Sequence, residues 1–301
     1  MFGILLLLLA LSIIAILYFL PPPHLSFSDR YPENDHTARK WETFHARPLK
    51  NIVVNNETWY YFSGGDGEKV LLFAHGMGGA YDIWWNQILA FEKQFKIIAY
   101  TLPPKVNTLE KVKNGILAIL QKEKVQQCTV IGTSMGGYIA QYLLQTIPER
   151  MEKAVFGNTF PPNDLLRQEN RFKRRVLPWL PEIVLYFLSQ KHLKNIVLPA
   201  AQNNQLLYAV LSSLPFSKQQ FINRFDIVTD YFHEKSPKEK KTPLLLIESD
   251  NDPLVPATLR QHLKAQFPTA RIHTFRQQGH FPYINAAQEY NAVLQHFLTS
   301  G

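Results

Sequence analysis

The sequence predicts an α/β fold, a mostly parallel sheet of eight short strands covered on both faces by helices. Three observations carry the prediction. Runs of strand length that are almost wholly apolar, such as residues 70–74 and 128–131, are too short for helices and read as strands buried on both faces. They alternate with stretches of helical period, clearest at 109–120, where Val112, Ile116, Ile119 and Leu120 share one side. Between the run at 128–131 and an apolar-faced helix at 138–144 lies Gly132-Thr133-Ser134-Met135-Gly136, a G-x-S-x-G pattern that is common by chance but is set here in the strand–turn–helix frame of a nucleophile elbow.

Taken in order, residues 2–20 carry no charge and are dominated by Leu, Ile and Ala, about the length that crosses a hydrocarbon core as a helix. No basic segment precedes this run and no small-x-small site closes it, so residues 1–20 are expected to be an uncleaved transmembrane anchor rather than a signal peptide. Arg30, Arg39 and Lys40 follow the span and no Lys or Arg precedes it, which leans towards a globular domain on the cytoplasmic side. Residues 21–49, polar, proline-bearing and without period, read as a linker.

The core is expected at 50–160 and again at 243–301. Residues 52–54 and 58–62, joined across Asn55-Asn56, predict a hairpin, and 95–100, 154–157, 243–248 and 271–275 supply the remaining strands. The alternation lapses at 161–242, which is rich in Leu and aromatics and reads as a helical cap inserted in the core. Its basic run, Arg171, Lys173, Arg174 and Arg175, beside Trp179, Leu180, Val184, Leu185 and Phe187, suits either a solvated helix face or a lipid-facing one. Lys235 to Lys241 form a charged link back to the sheet, and residues 286–298 an amphipathic last helix.

Composition narrows the classes. At 46% hydrophobic and 13% aromatic the chain can fill a core. The net charge of +8 suits nucleic acid or an anionic bilayer, and without a nucleic-acid-binding signature the bilayer is the expected partner. The single cysteine, Cys128, sits in a core strand, where packing rather than reactivity is expected.

The chemistry gathers at strand ends. A tight turn strains Ser134 and lifts its hydroxyl above the sheet, and Gly132 and Gly136 flank it because a Cβ there would meet neighbouring backbone. His75-Gly76-Met77-Gly78-Gly79, after the strand at 70–74, is the flexible loop an oxyanion hole needs, Gly76 and Gly78 among its glycines. The expected donors are the backbone N–H groups of Met77 and Met135, with His75 holding the loop. A serine needs an imidazole as base, and the imidazole a carboxylate to fix its tautomer. Later strand ends supply Asp250, Asp252 and His280, and the order Ser134, Asp252, His280 completes such a set.

With HGMGG, GTSMGG, DNDPLVP and GHFPYIN in hand, the sequence resembles the α/β-hydrolase-fold superfamily over residues 50–299. The resemblance implies Ser134 as nucleophile, Asp252 as acid and His280 as base, Asp252 rather than Asp250 because it directly precedes Pro253-Leu254-Val255-Pro256. Ser249 stands where the family usually has glycine. Stretches such as QILAFEKQFKIIAYTLPP and FPTARIHT are maspardin-like, which implies an alternative, a binding or adaptor protein on the same fold. The filled triad favours a membrane-anchored serine hydrolase of a small-molecule or lipid-like ester, with no cofactor, no metal and no nucleic acid.

Overall fold

In the computed structural model, residues 2–33, 35–233 and 242–300 are described; the charged link expected at 235–241 lies outside the described residues. The chain opens with helices α1 (Phe2–Phe19), α2 (Phe27–Arg30) and α3 (His36–His45). Eight strands follow, β1 (Lys50–Val54), β2 (Glu57–Gly64), β3 (Val70–Ala74), β4 (Lys96–Thr101), β5 (Cys128–Thr133), β6 (Met151–Gly157), β7 (Leu244–Ser249) and β8 (Arg271–Phe275). They form one sheet in the order β1-β2-β4-β3-β5-β6-β7-β8. The β1–β2 and β2–β4 pairs are antiparallel and the other pairs parallel.

Helix α4 (Trp85–Phe91) lies between β3 and β4, α5 (Leu109–Lys122) between β4 and β5, and α6 (Met135–Thr146) between β5 and β6. The interruption between β6 and β7 holds α7 (Asp164–Val176), α8 (Glu182–His192), α9 (Leu198–Ala200), α10 (Gln205–Ser213) and α11 (Lys218–Thr229). Then come α12 (Ala257–Gln266), α13 (Pro282–Asn285) and α14 (Ala287–Thr299).

The predicted sheet is the observed one, and side-chain alternation explains its two cores. In β3 and β4, Leu72, Ala74, Ile98 and Tyr100 face one side with α5 and α6, while Leu71, Phe73, Ile97 and Ala99 face the other with α4 and α14. Every residue of β3 and β5 is buried, as central parallel strands require. Asn55 and Asn56 make the β1–β2 turn at φ 52° and 62°, a left-handed pair that Asn tolerates. Burial pushes the Cys128 thiol up to about 12, which leaves it a packing residue.

Two readings of the N-terminal part are corrected. Among the described residues no helix is long and apolar enough to cross a membrane. The apolar run forms the 18-residue helix α1, about 27 Å at about 1.5 Å per residue, short of a hydrocarbon core of about 30 Å. Its C-terminal end meets the inserted helices, the Tyr18 hydroxyl donating to the Trp179 carbonyl. The transmembrane anchor, the membrane contact made through it and the localisation read from it therefore do not hold. Residues 21–49 are also more than a linker. Asp35 caps α3 through the Ala38 N–H at 2.7 Å, and Ala38, Trp41 and Phe44, three apart, bury one face against the core.

In the inserted helices, Arg174 Nε is 2.7 Å from Asp226 Oδ1, which ties α7 to α11. Leu185 is buried while Trp179 and Phe187 are exposed.

Candidate active site

The described loops that leave the C-terminal ends of the parallel strands carry the polar groups of interest, the usual place for a site on such a sheet. Ser134 follows β5 and precedes α6, with φ 55° and ψ −123°. A serine in this region is strained and is held there by its surroundings. Its N–H donates to the Gly157 carbonyl at 2.9 Å, and its carbonyl accepts from Thr159 Oγ1 at 2.6 Å and the Tyr138 N–H at 3.1 Å. The glycines on either side have no room to be anything else. A Cβ on Gly132 would lie 2.1 Å from the Gly136 oxygen, and one on Gly136 2.0 Å from the Ala74 oxygen.

The loop after β3 runs against this elbow. A Cβ on Gly76 would sit 3.4 Å from Ser134 Cβ, whereas one on Gly78 would meet nothing within 4 Å, so Gly78 is not sterically required. Met77 follows Gly76 directly, and Met135 opens α6, where the first N–H groups have no intrahelical acceptor. His75 is fully buried, accepts the Leu102 N–H at Nε2 (3.2 Å) and faces the Gly76 carbonyl with Nδ1 (2.7 Å). Those contacts place its proton on Nδ1, and burial, with Arg224 nearby, pulls its pKa down to about 3. It is a neutral strut for the loop.

Asp252 and His280 meet across the ends of β7 and β8. Nδ1 of His280 lies 2.8 Å from Oδ2 and 3.0 Å from Oδ1 of Asp252, and the two residues are 3% and 6% exposed respectively. A carboxylate on Nδ1 fixes that nitrogen as the protonated one and leaves Nε2 as the lone-pair nitrogen. Oδ1 of Asp252 also accepts the Leu254 and Val255 N–H groups, at 2.9 and 3.2 Å. Burial alone would raise this carboxyl, but the charge and hydrogen bond of His280, then Asn158 and the Leu254 N–H, hold it below its ordinary range. Asp250 is exposed and its Oδ1 accepts the Gln277 N–H at 2.8 Å, away from His280. Ser249 does not have positive φ, so the usual glycine is not needed there.

One participant was not legible beforehand. Asn158, buried at the end of β6 with φ 40°, donates to Asp252 Oδ2 at 2.9 Å. Only the pattern of an asparagine directly after a strand-end glycine hinted at it. Gly279 needs its φ of 61°, and a Cβ there would lie 2.1 Å from the Ala200 oxygen, which itself accepts the His280 N–H at 2.8 Å. Among the described residues no group of three or more His, Cys, Asp or Glu side chains could hold a metal ion.

An eight-stranded, mostly parallel sheet in this strand order, covered by helices on both faces, is the architecture of the α/β-hydrolase fold. Residues 69–197 match the family described as alpha/beta hydrolase fold, and residues 226–301 the one described as TAP-like protein. The chain belongs to the α/β-hydrolase-fold superfamily. It is 22% identical over 255 residues to a pimeloyl-[acyl-carrier protein] methyl ester esterase of Vibrio campbellii, covering 81% of this chain and 99% of that one. It is 25% identical to a putative carbamate hydrolase of Serratia proteamaculans, over 74% of this chain and 88% of that one. Among solved structures, a hydrolase from Pseudomonas aeruginosa superimposes with a TM-score of 0.73 at 19% identity, covering 85% of this chain and all (100%) of that one. The enol-lactonase of Burkholderia xenovorans does so with a TM-score of 0.69 at 16% identity, covering 83% and 100%.

Proposed function

We propose that the protein is a serine ester hydrolase in which Ser134 is the nucleophile, His280 the general base and Asp252 its orienting acid. The observation that carries this is the buried Asp252–His280 pair in the loops after β7 and β8, with a serine held at φ 55° in the turn after β5. In that reading Nε2 of His280 takes the Ser134 hydroxyl proton as Oγ attacks the ester carbonyl. The carbonyl oxygen becomes an oxyanion, met by the Met77 and Met135 N–H groups. Collapse expels the alcohol, which receives the proton from His280, and leaves an acyl group on Ser134. Water, deprotonated by His280, attacks the acyl carbonyl, and the acid leaves as the Ser134 hydroxyl is restored. The Asp252 carboxylate stays ionised throughout and steadies the imidazolium.

A methyl ester esterase and an enol-lactonase among the similar proteins support carbon–oxygen ester cleavage as the reaction class. Hydrolysis of a panel of p-nitrophenyl acyl esters tests it. Wild-type turnover that is lost in Ser134→Ala is expected. Full turnover in that variant would overturn the reading, and absence of turnover in both would favour the binding protein that the maspardin-like stretches imply.

A further inference from the structure

Arg224 lies on α11, the last of the inserted helices, and is 1% exposed. Its Nη2 donates to the carbonyl of Leu102, just past β4, at 2.6 Å. Its Nε and Nη1 are buried and have no acceptor. The acids on and next to its helix are engaged elsewhere, Asp226 with Arg174 and Asp230 with the Leu109 N–H. Burial draws the guanidinium down only to about 9, so it remains a cation near neutral pH.

A second unspent donor lies close by. Tyr100, on β4, is fully buried and its hydroxyl has no partner. Tyr100 and Leu102 belong to the same core cluster, and the Tyr100 ring centroid is 5.8 Å from that of His75. His75 accepts the Leu102 N–H, and the next residue, Gly76, backs on Ser134. A buried cation with two unpaired donors and a buried phenol with an unpaired hydroxyl thus sit at the seam between inserted helices and sheet, beside the loop that leads to the serine. A desolvated cation with no counter-charge and with only one of its nitrogens paired is costly, so such a group is kept where an anion arrives to complete it.

We propose that Arg224 and Tyr100 form a carboxylate-binding subsite, and that the preferred substrate is an ester bearing a free carboxylate, such as a monoester of a dicarboxylic acid. This rests on the reading of Ser134 as an ester hydrolase's nucleophile. Nε and Nη1 of the guanidinium are two donors free for a carboxylate, and the phenol adds a third. A neutral ester would leave all three unpaired, which is how a polar subsite rejects an analogue that lacks the matching group.

The test compares kcat/KM for monomethyl esters of dicarboxylic acids, from succinate to suberate, with that for methyl alkanoates of matching length. Wild-type protein is expected to favour the anionic ester at one length by about tenfold or more. In Arg224→Met and in Tyr100→Phe that ratio should fall, mainly through KM, and Arg224→Lys should keep part of it. A wild-type ratio at or below one at every length overturns the subsite. So does an unchanged ratio in folded variants whose kcat falls equally on both esters, because Arg224 then only holds Leu102 and the His75 loop. Should Arg224→Met fail to fold, the Tyr100→Phe ratio decides. Calorimetric binding of the same monoesters to Ser134→Ala protein, with and without Arg224→Lys, reads the subsite without turnover. Binding there that ignores Arg224 also overturns it, whereas turnover retained by Ser134→Ala defeats the serine reading instead.

Discussion

Nδ1 of His280 meets both oxygens of Asp252, at 2.8 and 3.0 Å, in a setting from which water is almost excluded. That single contact sets the tautomer of the imidazole, and the tautomer decides which nitrogen can accept a proton. His280→Ala is expected to lower kcat by roughly a thousandfold or more, with a melting temperature near that of wild type. Stopped-flow measurement with a chromogenic ester checks it. Wild type should show a burst of alcohol that the variant lacks.

The two aspartates of the loop after β7 should separate sharply. Asp252→Asn forces the imidazole towards the wrong tautomer and should cost roughly a thousandfold or more in kcat. Asp250 faces solvent and its carboxylate accepts the Gln277 N–H, so Asp250→Asn should stay within about threefold of wild type. The reverse ranking in steady-state assays would show that the acid is misassigned.

Asn158 acts through Asp252. Its Nδ2 donor, 2.9 Å from Oδ2, helps to orient the carboxylate and lower its pKa. A hydrogen bond to a charged group is worth about 1.5–3 kcal/mol, or roughly ten- to a hundredfold in rate. Asn158→Ala should therefore reduce kcat by about that factor with KM little changed. A variant that lost only thermal stability would show the contact to be structural.

Those roles were unequally legible in the sequence. The elbow could be read because its constraint is local, Gly132 and Gly136 being forced by atoms a few residues away or on the adjoining strand. The sheet was legible for a similar reason, since strand length and apolar alternation are written in each segment. Asn158 and Arg224 were not, because a buried polar side chain is explained only by partners distant in sequence, such as Asp252 and Leu102. The helix at His36–His45 was missed because its apolar face amounts to Ala38, Trp41 and Phe44 within a polar stretch. The N-terminal run was over-read as a span because absence of charge does not fix where a helix ends, and this one ends at Phe19.

Glu123 gives the fold a predictable acid limb. Burial alone would raise this carboxyl, but Lys50, Ser63, Lys96 and Tyr61 gather on it and hold it at about 2. A depressed folded pKa adds stability that is complete above the unfolded value, about 4.5, and is lost as pH falls towards the folded one. The melting-temperature gap between wild type and Glu123→Gln should thus be widest near neutrality and close between about pH 4.5 and 2. A gap independent of pH would contradict the charge-based origin.

The nucleophile itself is reached most directly by covalent labelling. Incubation with a fluorophosphonate, digestion and mass spectrometry of the peptides should place one adduct on Ser134. Its formation should slow by orders of magnitude in His280→Ala, because the base is gone, and vanish in Ser134→Ala. An adduct on another residue, or none on folded wild-type protein, would contradict the account.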